Sequence, residues 1–108
     1  MNSNRKGKVG EREAAAALTE DLGLEARRGV QYSGSPDSPD VVHSLPGVHF
    51  EVKRTETLSV YKAIEQATED AGGSVPVVLH RRNRGEWLAI VPLKRLKELA
   101  NRIVEVCK

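Results

Sequence analysis

The sequence predicts one α/β domain, residues 1–108, with a central mixed β-sheet flanked by helices. A chain of 108 residues is long enough for one hydrophobic core. Stretches with helical periodicity alternate with short stretches typical of strands, in the predicted order α-β-β-β-α-β-β-α. Hydrophobic residues make up 39% and charged residues 30%, which is typical of a soluble globular domain.

Composition excludes several classes of protein. No run of about 18 apolar residues predicts a membrane span, and the basic N-terminus lacks the apolar region of a signal peptide. The single Cys107 excludes an intrachain disulfide and a Cys-rich zinc site, and it favours a reducing cytoplasm. The net charge is only +2, but the basic residues occur in clusters. These clusters either share one face, where they would attract an anionic partner, or form separate solvated patches.

The first helix is predicted from Val9 to Leu22, after a flexible basic arm at residues 1–7. An apolar row on this helix runs through Leu18 and Leu22 and, extended backward, comes close to Glu11. Glu13 is expected on the opposite side. Glu11 is therefore either an acid at the end of a core-facing row or a simple partner of the helix dipole.

Three short strands are predicted next, at Leu24–Val30, Val41–His43 and Val48–Arg54, with a loop rich in Gly, Ser and Pro after the first. The turn at Ser44–Gly47 predicts that the second and third strands form a hairpin. The third strand alternates, so that one face is apolar and the other polar. The polar face carries His49, Glu51 and Lys53, and the apolar face carries Val48, Phe50 and Val52.

The second half of the chain predicts two helices around a strand pair. A helix at Ser59–Ala71 ends at Gly72, with an apolar row of Val60, Ile64, Ala67 and Ala71. Strands follow at Val75–His80, which is apolar throughout, and at Trp87–Val91, where Trp87 is expected in the core or a dimer interface. The last helix begins at Pro92, and its expected apolar row contains Leu93, Leu96, Leu99 or Ala100, and Ile103.

The strongest candidates in this pattern for metal binding or catalysis are Asp40, Glu51 and Lys53. Asp40 directly precedes the strand that would pair with the strand carrying Glu51 and Lys53. Two neighbouring carboxylates repel each other unless a cation lies between them, and hard oxygen ligands suit Mg²⁺. The alternative is an exposed Glu51–Lys53 ion pair without function. The three histidines lack the spacing of zinc ligands, which favours structural or solvated roles.

The motif resembles that of the PD-(D/E)xK nuclease superfamily. Pro39-Asp40 is followed, after ten residues, by Glu51-Val52-Lys53, with Glu11 upstream in a helix. With the segment KGKVGEREAAAAL and a glutamine in the second helix, the chain is similar to archaeal-type and phage Holliday junction resolvases. The resemblance implies the restriction-endonuclease-like fold and Mg²⁺-dependent hydrolysis of DNA phosphodiesters, with Mn²⁺ as a substitute.

The resemblance also implies roles for individual residues. Catalytic roles fall to Glu11, Asp40, Glu51, Lys53 and Gln66. Metal ligands would be Asp40, Glu51 and the Val52 carbonyl, with Glu11 as a further candidate. Asp37, in the other copy of the repeated Ser-Pro-Asp, is interpreted as a turn residue. DNA contacts are expected from Arg5, Lys6, Arg28, Ser33, Ser35, Arg54, Tyr61, Lys62, Arg81, Arg82 and Arg84.

The expected partner is branched double-stranded DNA, cut at a four-way junction by a homodimer with two active sites. The expected location is the cytoplasm of a prokaryotic or phage-infected cell. Recombination, replication-fork repair and phage genome debranching are equally compatible processes. Two alternatives stay open: another nuclease of the same fold acting in repair, restriction or flap removal, or a DNA-binding module without catalysis.

Overall fold

The computed structural model describes residues 3–29 and 41–107, with side chains from residue 9 onward. Within these ranges the chain is an α/β domain, as predicted. None of the helices found there is long and apolar enough to cross a membrane. The elements are α1 (Ser3–Leu22), β1 (Ala26–Arg28), β2 (Val41–His43), β3 (Val48–Arg54), α2 (Val60–Ala71), β4 (Val75–Arg81), β5 (Leu88–Ile90), a 3₁₀ turn (Leu93–Arg95) and α3 (Leu96–Val106).

The five described strands form two sheets rather than the single central sheet that was predicted. In the smaller sheet, β1 pairs antiparallel with β2, which places Arg28 opposite Val41. The larger sheet has the order β3-β4-β5. Its β3 and β4 are parallel, with Val48 opposite Val75, whereas β4 and β5 are antiparallel. Helix α2 connects the parallel pair, since parallel strands need a long crossover connection.

The predicted hairpin between β2 and β3 is wrong, because these two strands belong to different sheets. The turn between them is fastened to other elements. The Ser44 amide donates to the Glu25 carbonyl at 2.9 Å, and the Val75 amide donates to the Gly47 carbonyl at 2.9 Å. Leu45 is only 1% exposed, so this turn is anchored in the core as well. These bonds tie the turn to the ends of β1 and β4 and separate β2 from β3.

Helix α1 starts at Ser3, earlier than predicted, and includes residues 3–7 that were expected to be a flexible arm. Gly10 lies inside this helix, where a glycine normally costs stability. A Cβ atom at Gly10 would lie 2.6 Å from the Cβ of Arg54 in β3. The glycine is therefore needed for the close approach of α1 to β3. The predicted apolar row is confirmed at Leu18, which is 4% exposed.

The larger core lies between α1, α3 and one face of the β3-β4-β5 sheet. Its buried members include Ala14, Ala15, Leu18, Leu24, Val41, Leu45, Val48, Phe50, Val75, Val77, Leu79 and Leu99. Trp87 packs against this core, as one of its two predicted roles required. A much smaller cluster joins α2 to the opposite sheet face and consists of Ala63, Ala67 and Val78, with three partly buried neighbours.

The helix faces differ from two of the predicted apolar rows. In α2, Ala63 is buried while Val60 is 42% exposed, because the contact with the sheet is made by Ala63 and Ala67. In the last helical segment, Leu93 is 85% exposed and Leu96 is 47% exposed. Leu93 lies in the 3₁₀ turn, whose periodicity differs from that of α3, so it leaves the row that buries Leu99. Leu96, the first residue of α3, is also partly outside this row.

Candidate functional site

The polar face of β3 lies beneath α2 and contains a buried carboxylate. Glu51 is 5% exposed, and among the described side chains it is the one charged or polar group that is buried. Burying a carboxylate is costly unless hydrogen bonds or opposite charges compensate it. The alternative of an exposed Glu51–Lys53 ion pair is therefore wrong, because Glu51 is not at the surface.

Two of the residues given catalytic roles by the resemblance, Lys53 and Gln66, are in direct contact. The Lys53 Nζ atom donates a hydrogen bond to the Gln66 Oε1 atom at 2.9 Å. Gln66 reaches β3 because α2 contacts the sheet through the small side chains of Ala63 and Ala67. This bond is solvent-exposed, so the lysine amine is positioned by α2 and accessible from outside.

His49 and Asp70 complete a group of possible metal ligands around Glu51. The His49 Nε2 atom lies 3.0 Å from the Glu51 Oε1 atom. Asp70 comes from the last turns of α2 and is exposed. One nitrogen from His49 and one oxygen from each carboxylate all lie within 4.8 Å of one another. This spacing permits a shared divalent cation.

A second histidine, His43, stands on the core side of the same region. Its ring packs edge-on against Phe50, with centroids 4.7 Å apart, and its Nδ1 atom accepts a hydrogen bond from the Leu45 amide at 3.1 Å. Burial lowers the pKa of His43 below its ordinary 6.5, and the nearby His49 lowers it further, whereas a hydrogen bond with the Val48 backbone acts in the opposite direction. His43 is therefore a neutral structural histidine at pH 7.

Glu11, a candidate metal ligand, forms an ion pair with Arg28. Its Oε2 atom accepts a hydrogen bond from the Arg28 Nε atom at 3.0 Å. The pair joins a predicted catalytic residue to a predicted DNA-binding residue and connects α1 with β1.

Four residues singled out in the sequence lie outside the described residues: Asp40, Asp37, Ser33 and Ser35. Arg5 and Lys6 belong to the first turns of α1, and their side chains lie outside the described part of the chain. The backbone of Val52, whose carbonyl is a predicted ligand, is opposite Leu79 in the β3–β4 pair.

Two of the predicted DNA-binding arginines are held in an internal network. The Glu13 Oε2 atom accepts hydrogen bonds from Arg54 Nε at 3.2 Å and from an Arg81 guanidinium nitrogen at 2.9 Å. The two arginines lie opposite each other at the ends of β3 and β4. Glu13 was expected to face away from the core, but it faces the sheet and clamps α1 to both strands.

The remaining predicted DNA contacts are at the surface. Arg82 and Arg84 are exposed in the turn between β4 and β5, where Arg84 adopts a left-handed conformation with φ of 62°. Tyr61 is 86% exposed and Lys62 is also exposed, both in the first turn of α2. These four side chains are accessible to a large anionic partner.

His49 and Asp70 were not predicted as site residues, although the sequence contains a signal for each. His49 precedes Glu51 by two positions and therefore shares its strand face. Asp70 follows Gln66 by four positions and therefore shares its helix face. A search for acids and histidines in register with the Glu51–Lys53 strand and the Gln66 helix would have found both.

Comparison with known proteins does not assign the chain to a family. No family model, curated protein or solved structure matches it. The likeness to the PD-(D/E)xK nucleases therefore stays a prediction from the motif, and the function is argued from the site itself.

Proposed function

We propose that this chain is a metal-dependent DNA endonuclease whose single α/β domain has the PD-(D/E)xK fold. The observation that carries the proposal is the carboxylate of Glu51, 5% exposed, on the same strand face as Lys53, whose amine is bonded to Gln66. A carboxylate kept almost out of water next to a positioned ammonium group is typical of functional sites, where burial and charge tune reactivity.

The donor set around Glu51 fits a divalent cation. Two carboxylates and one imidazole nitrogen, from Glu51, Asp70 and His49, lie within 4.8 Å of one another. Carboxylates this close repel each other in the absence of a positive charge. The sequence motif adds Asp40 as a ligand and Mg²⁺ as the expected ion. A bound divalent cation stabilises negative charge on a phosphate and lowers the pKa of a bound water.

Lys53 and Glu51 have complementary roles in this proposal. Glu51 holds the cation, and its burial beneath α2 restricts the carboxylate to one orientation. Lys53 presents a compact positive charge at the exposed side of the site, and Gln66 fixes the amine by accepting a hydrogen bond from it. The amine can then donate to a phosphate oxygen and stabilise the negative charge that develops during hydrolysis.

DNA is the proposed substrate because exposed basic side chains lie on α2 and in the turn after β4, the two elements next to the polar strand β3. Lys62 starts α2, and Arg82 and Arg84 extend from the β4–β5 turn, where they can contact backbone phosphates. Such contacts position DNA without reading its sequence. The choice of a four-way junction rests on the resemblance to resolvases. A homodimer would present two sites related by symmetry and cut two strands.

The test is cleavage of labelled four-way junction, flap and linear duplex in Mg²⁺ or Mn²⁺. We expect paired symmetric nicks near the junction crossover. Glu51→Gln should reduce the cleavage rate by at least about 100-fold, as removal of a key charge-stabilising group does in other enzymes, while junction binding persists. Glu105→Gln, the same change at an exposed position of α3, is the matched control and should retain full activity.

The outcomes separate the candidates. Cleavage of flap or linear DNA in preference to the junction would replace the resolvase assignment by another nuclease activity. Tight DNA binding without cleavage in either metal would leave a DNA-binding module and refute the enzyme proposal. Equal activity of the Glu51→Gln and Glu105→Gln variants would show that the reaction does not use this site.

A further inference from the structure

We propose that His49, Glu51 and Asp70 form a mixed nitrogen–oxygen site that binds first-row transition-metal ions such as Mn²⁺ and Co²⁺ in preference to Mg²⁺. The inference deepens the proposed function. Only the use of the metal in catalysis rests on that function. Metal binding itself is testable in the absence of DNA. Neither His49 nor Asp70 belongs to the sequence motif that predicts a magnesium nuclease.

The distance between His49 and Glu51 matches two neighbouring ligands of one ion. Ligand atoms about 2.1 Å from a metal and at right angles to each other lie about 3.0 Å apart. The His49 Nε2 and Glu51 Oε1 atoms are separated by 3.0 Å. The two residues are two positions apart on β3, so the strand places them on one face, and their side chains lean together to reach this spacing. Without metal the two atoms are joined by a hydrogen bond, and an ion would replace the proton between them after a small rotation of the side chains.

Asp70 supplies the third ligand from a different element. All three ligand atoms lie within 4.8 Å of one another, while opposite ligands in an octahedral shell are about 4.2 Å apart. A small side-chain rotation of exposed Asp70 would therefore close the site. Because Asp70 follows Gln66 by one helical turn, the α2 face that positions Lys53 also delivers this carboxylate.

Burial and charge both favour a cation at this position. The side chains of His49 and Glu51 are 15% and 7% exposed, so the sheet side of the site is almost dry. Asp70 is exposed and leaves an open side for ion entry and for water ligands. The two carboxylates together carry the charge that a divalent ion neutralises, which offsets the cost of keeping Glu51 buried.

The imidazole nitrogen determines the preferred metal. Mg²⁺ takes oxygen ligands almost exclusively and keeps much of its water shell. Imidazole nitrogen suits first-row transition metals, whose affinity rises from Mn²⁺ through Co²⁺ to Cu²⁺. A site with two carboxylates and one histidine should therefore bind Co²⁺ more tightly than Mn²⁺, and Mn²⁺ more tightly than Mg²⁺.

The experiment is calorimetric titration of the free protein with Mg²⁺, Mn²⁺ and Co²⁺. We expect at least about tenfold tighter binding of Co²⁺ than of Mg²⁺. His49→Gln should weaken Co²⁺ binding by about 10–100-fold, since even outer-shell partners of ligands cost this much, and should leave Mg²⁺ binding nearly unchanged. Asp70→Asn should weaken binding of all three ions.

Matched controls are His80→Gln and Glu69→Gln. His80 lies on β4 with its Nε2 atom 2.9 Å from the Thr55 carbonyl, and Glu69 is the exposed neighbour of Asp70. Both variants should bind Co²⁺ like the unmodified protein. Equal affinity for Co²⁺ and Mg²⁺, together with unchanged Co²⁺ binding by His49→Gln, would overturn the inference.

A spectroscopic measurement on the unmodified protein avoids reliance on variants that fail to fold. Electron spin echo modulation of bound Mn²⁺ should show a directly coordinated imidazole nitrogen, and a spectrum without nitrogen coupling would refute the site. The result is separable from the nuclease proposal. Nitrogen coordination without DNA cleavage would support the metal site and refute the nuclease proposal. Cleavage without nitrogen coordination would support the nuclease proposal and refute the metal site.

Discussion

The two faces of the β3-β4-β5 sheet differ in polarity. The face toward α1 and α3 belongs to a continuous apolar core that includes Val48, Phe50, Val77 and Leu79. The face toward α2 has a small apolar cluster around Val78, and its β3 portion is polar. Neighbouring residues on β3 therefore lie in different environments, because successive side chains of a strand point to opposite faces.

On β3, the side chains that face α1 are therefore expected to matter for stability, and those that face α2 for the proposed chemistry. Apolar side chains on the α1 face contribute to folding in proportion to the area they bury. A buried carboxylate gives little stability compared with an apolar side chain of similar size. The buried carboxylate of Glu51 on the α2 face therefore fits the proposed function better than a role in stability. The following substitutions test the contrast between the faces.

The largest expected effect is at Phe50. Phe50→Ala should lower the free energy of unfolding by about 3–5 kcal/mol, since it opens a cavity in the larger core. Glu51→Gln, one position away, keeps the shape of the side chain and should lower it by less than about 1.5 kcal/mol. Urea unfolding of both variants measures the difference. Comparable losses would mean that the α2 face is as structural as the other.

How much of this contrast could be predicted depends on the range of the interactions involved. The alternation of β3 is local, and it correctly placed Phe50 and Glu51 on opposite faces. The pairing of β3 with β4 spans the whole of α2 and has no local signal, so a nearby turn wrongly favoured a hairpin with β2. The metal-ligand candidate Asp70 does share a helix face with Gln66 in the sequence, but its approach to β3 depends on how α2 packs against the sheet.

An intermediate effect is expected where α1 meets the ends of β3 and β4. Glu13→Gln should lower the free energy of unfolding by about 1–3 kcal/mol, because it weakens hydrogen bonds to Arg54 and Arg81 and leaves the largely buried Arg54 without its counter-charge. Glu20→Gln, an exposed change on α1, is the control and should have almost no effect. Equal stability of the two variants would show that the clamp contributes nothing.

The same variant sharpens the comparison between the faces. Glu13 holds Arg54 and Arg81 on the α1 side, so its loss should not alter the His49–Glu51–Asp70 group on the α2 side. The Co²⁺ affinity of Glu13→Gln should match that of the unmodified protein at a temperature where both are folded. A parallel loss of metal binding and stability would mean that the two faces are not independent.

The smallest expected effect is a pH dependence carried by His43 on the core side. Its pKa is below 6.5 in the folded protein, chiefly because of burial. The unfolded chain therefore binds a proton more readily than the folded one. The contribution of neutral His43 to stability is complete above about pH 6.5, the ordinary pKa, and is lost as the pH falls through the lower folded pKa.

Proton NMR titration of the His43 ring tests this directly, with the protein unfolded in urea as its own control. The folded midpoint should lie below the unfolded one. The stability advantage over His43→Gln, which keeps an acceptor for the Leu45 amide, should shrink between pH 7.5 and pH 5.5. A folded midpoint at or above 6.5 would mean that the hydrogen bond with the Val48 backbone outweighs the burial of the ring packed against Phe50. Burial would then influence this histidine less than expected, and the contrast with the site face would weaken.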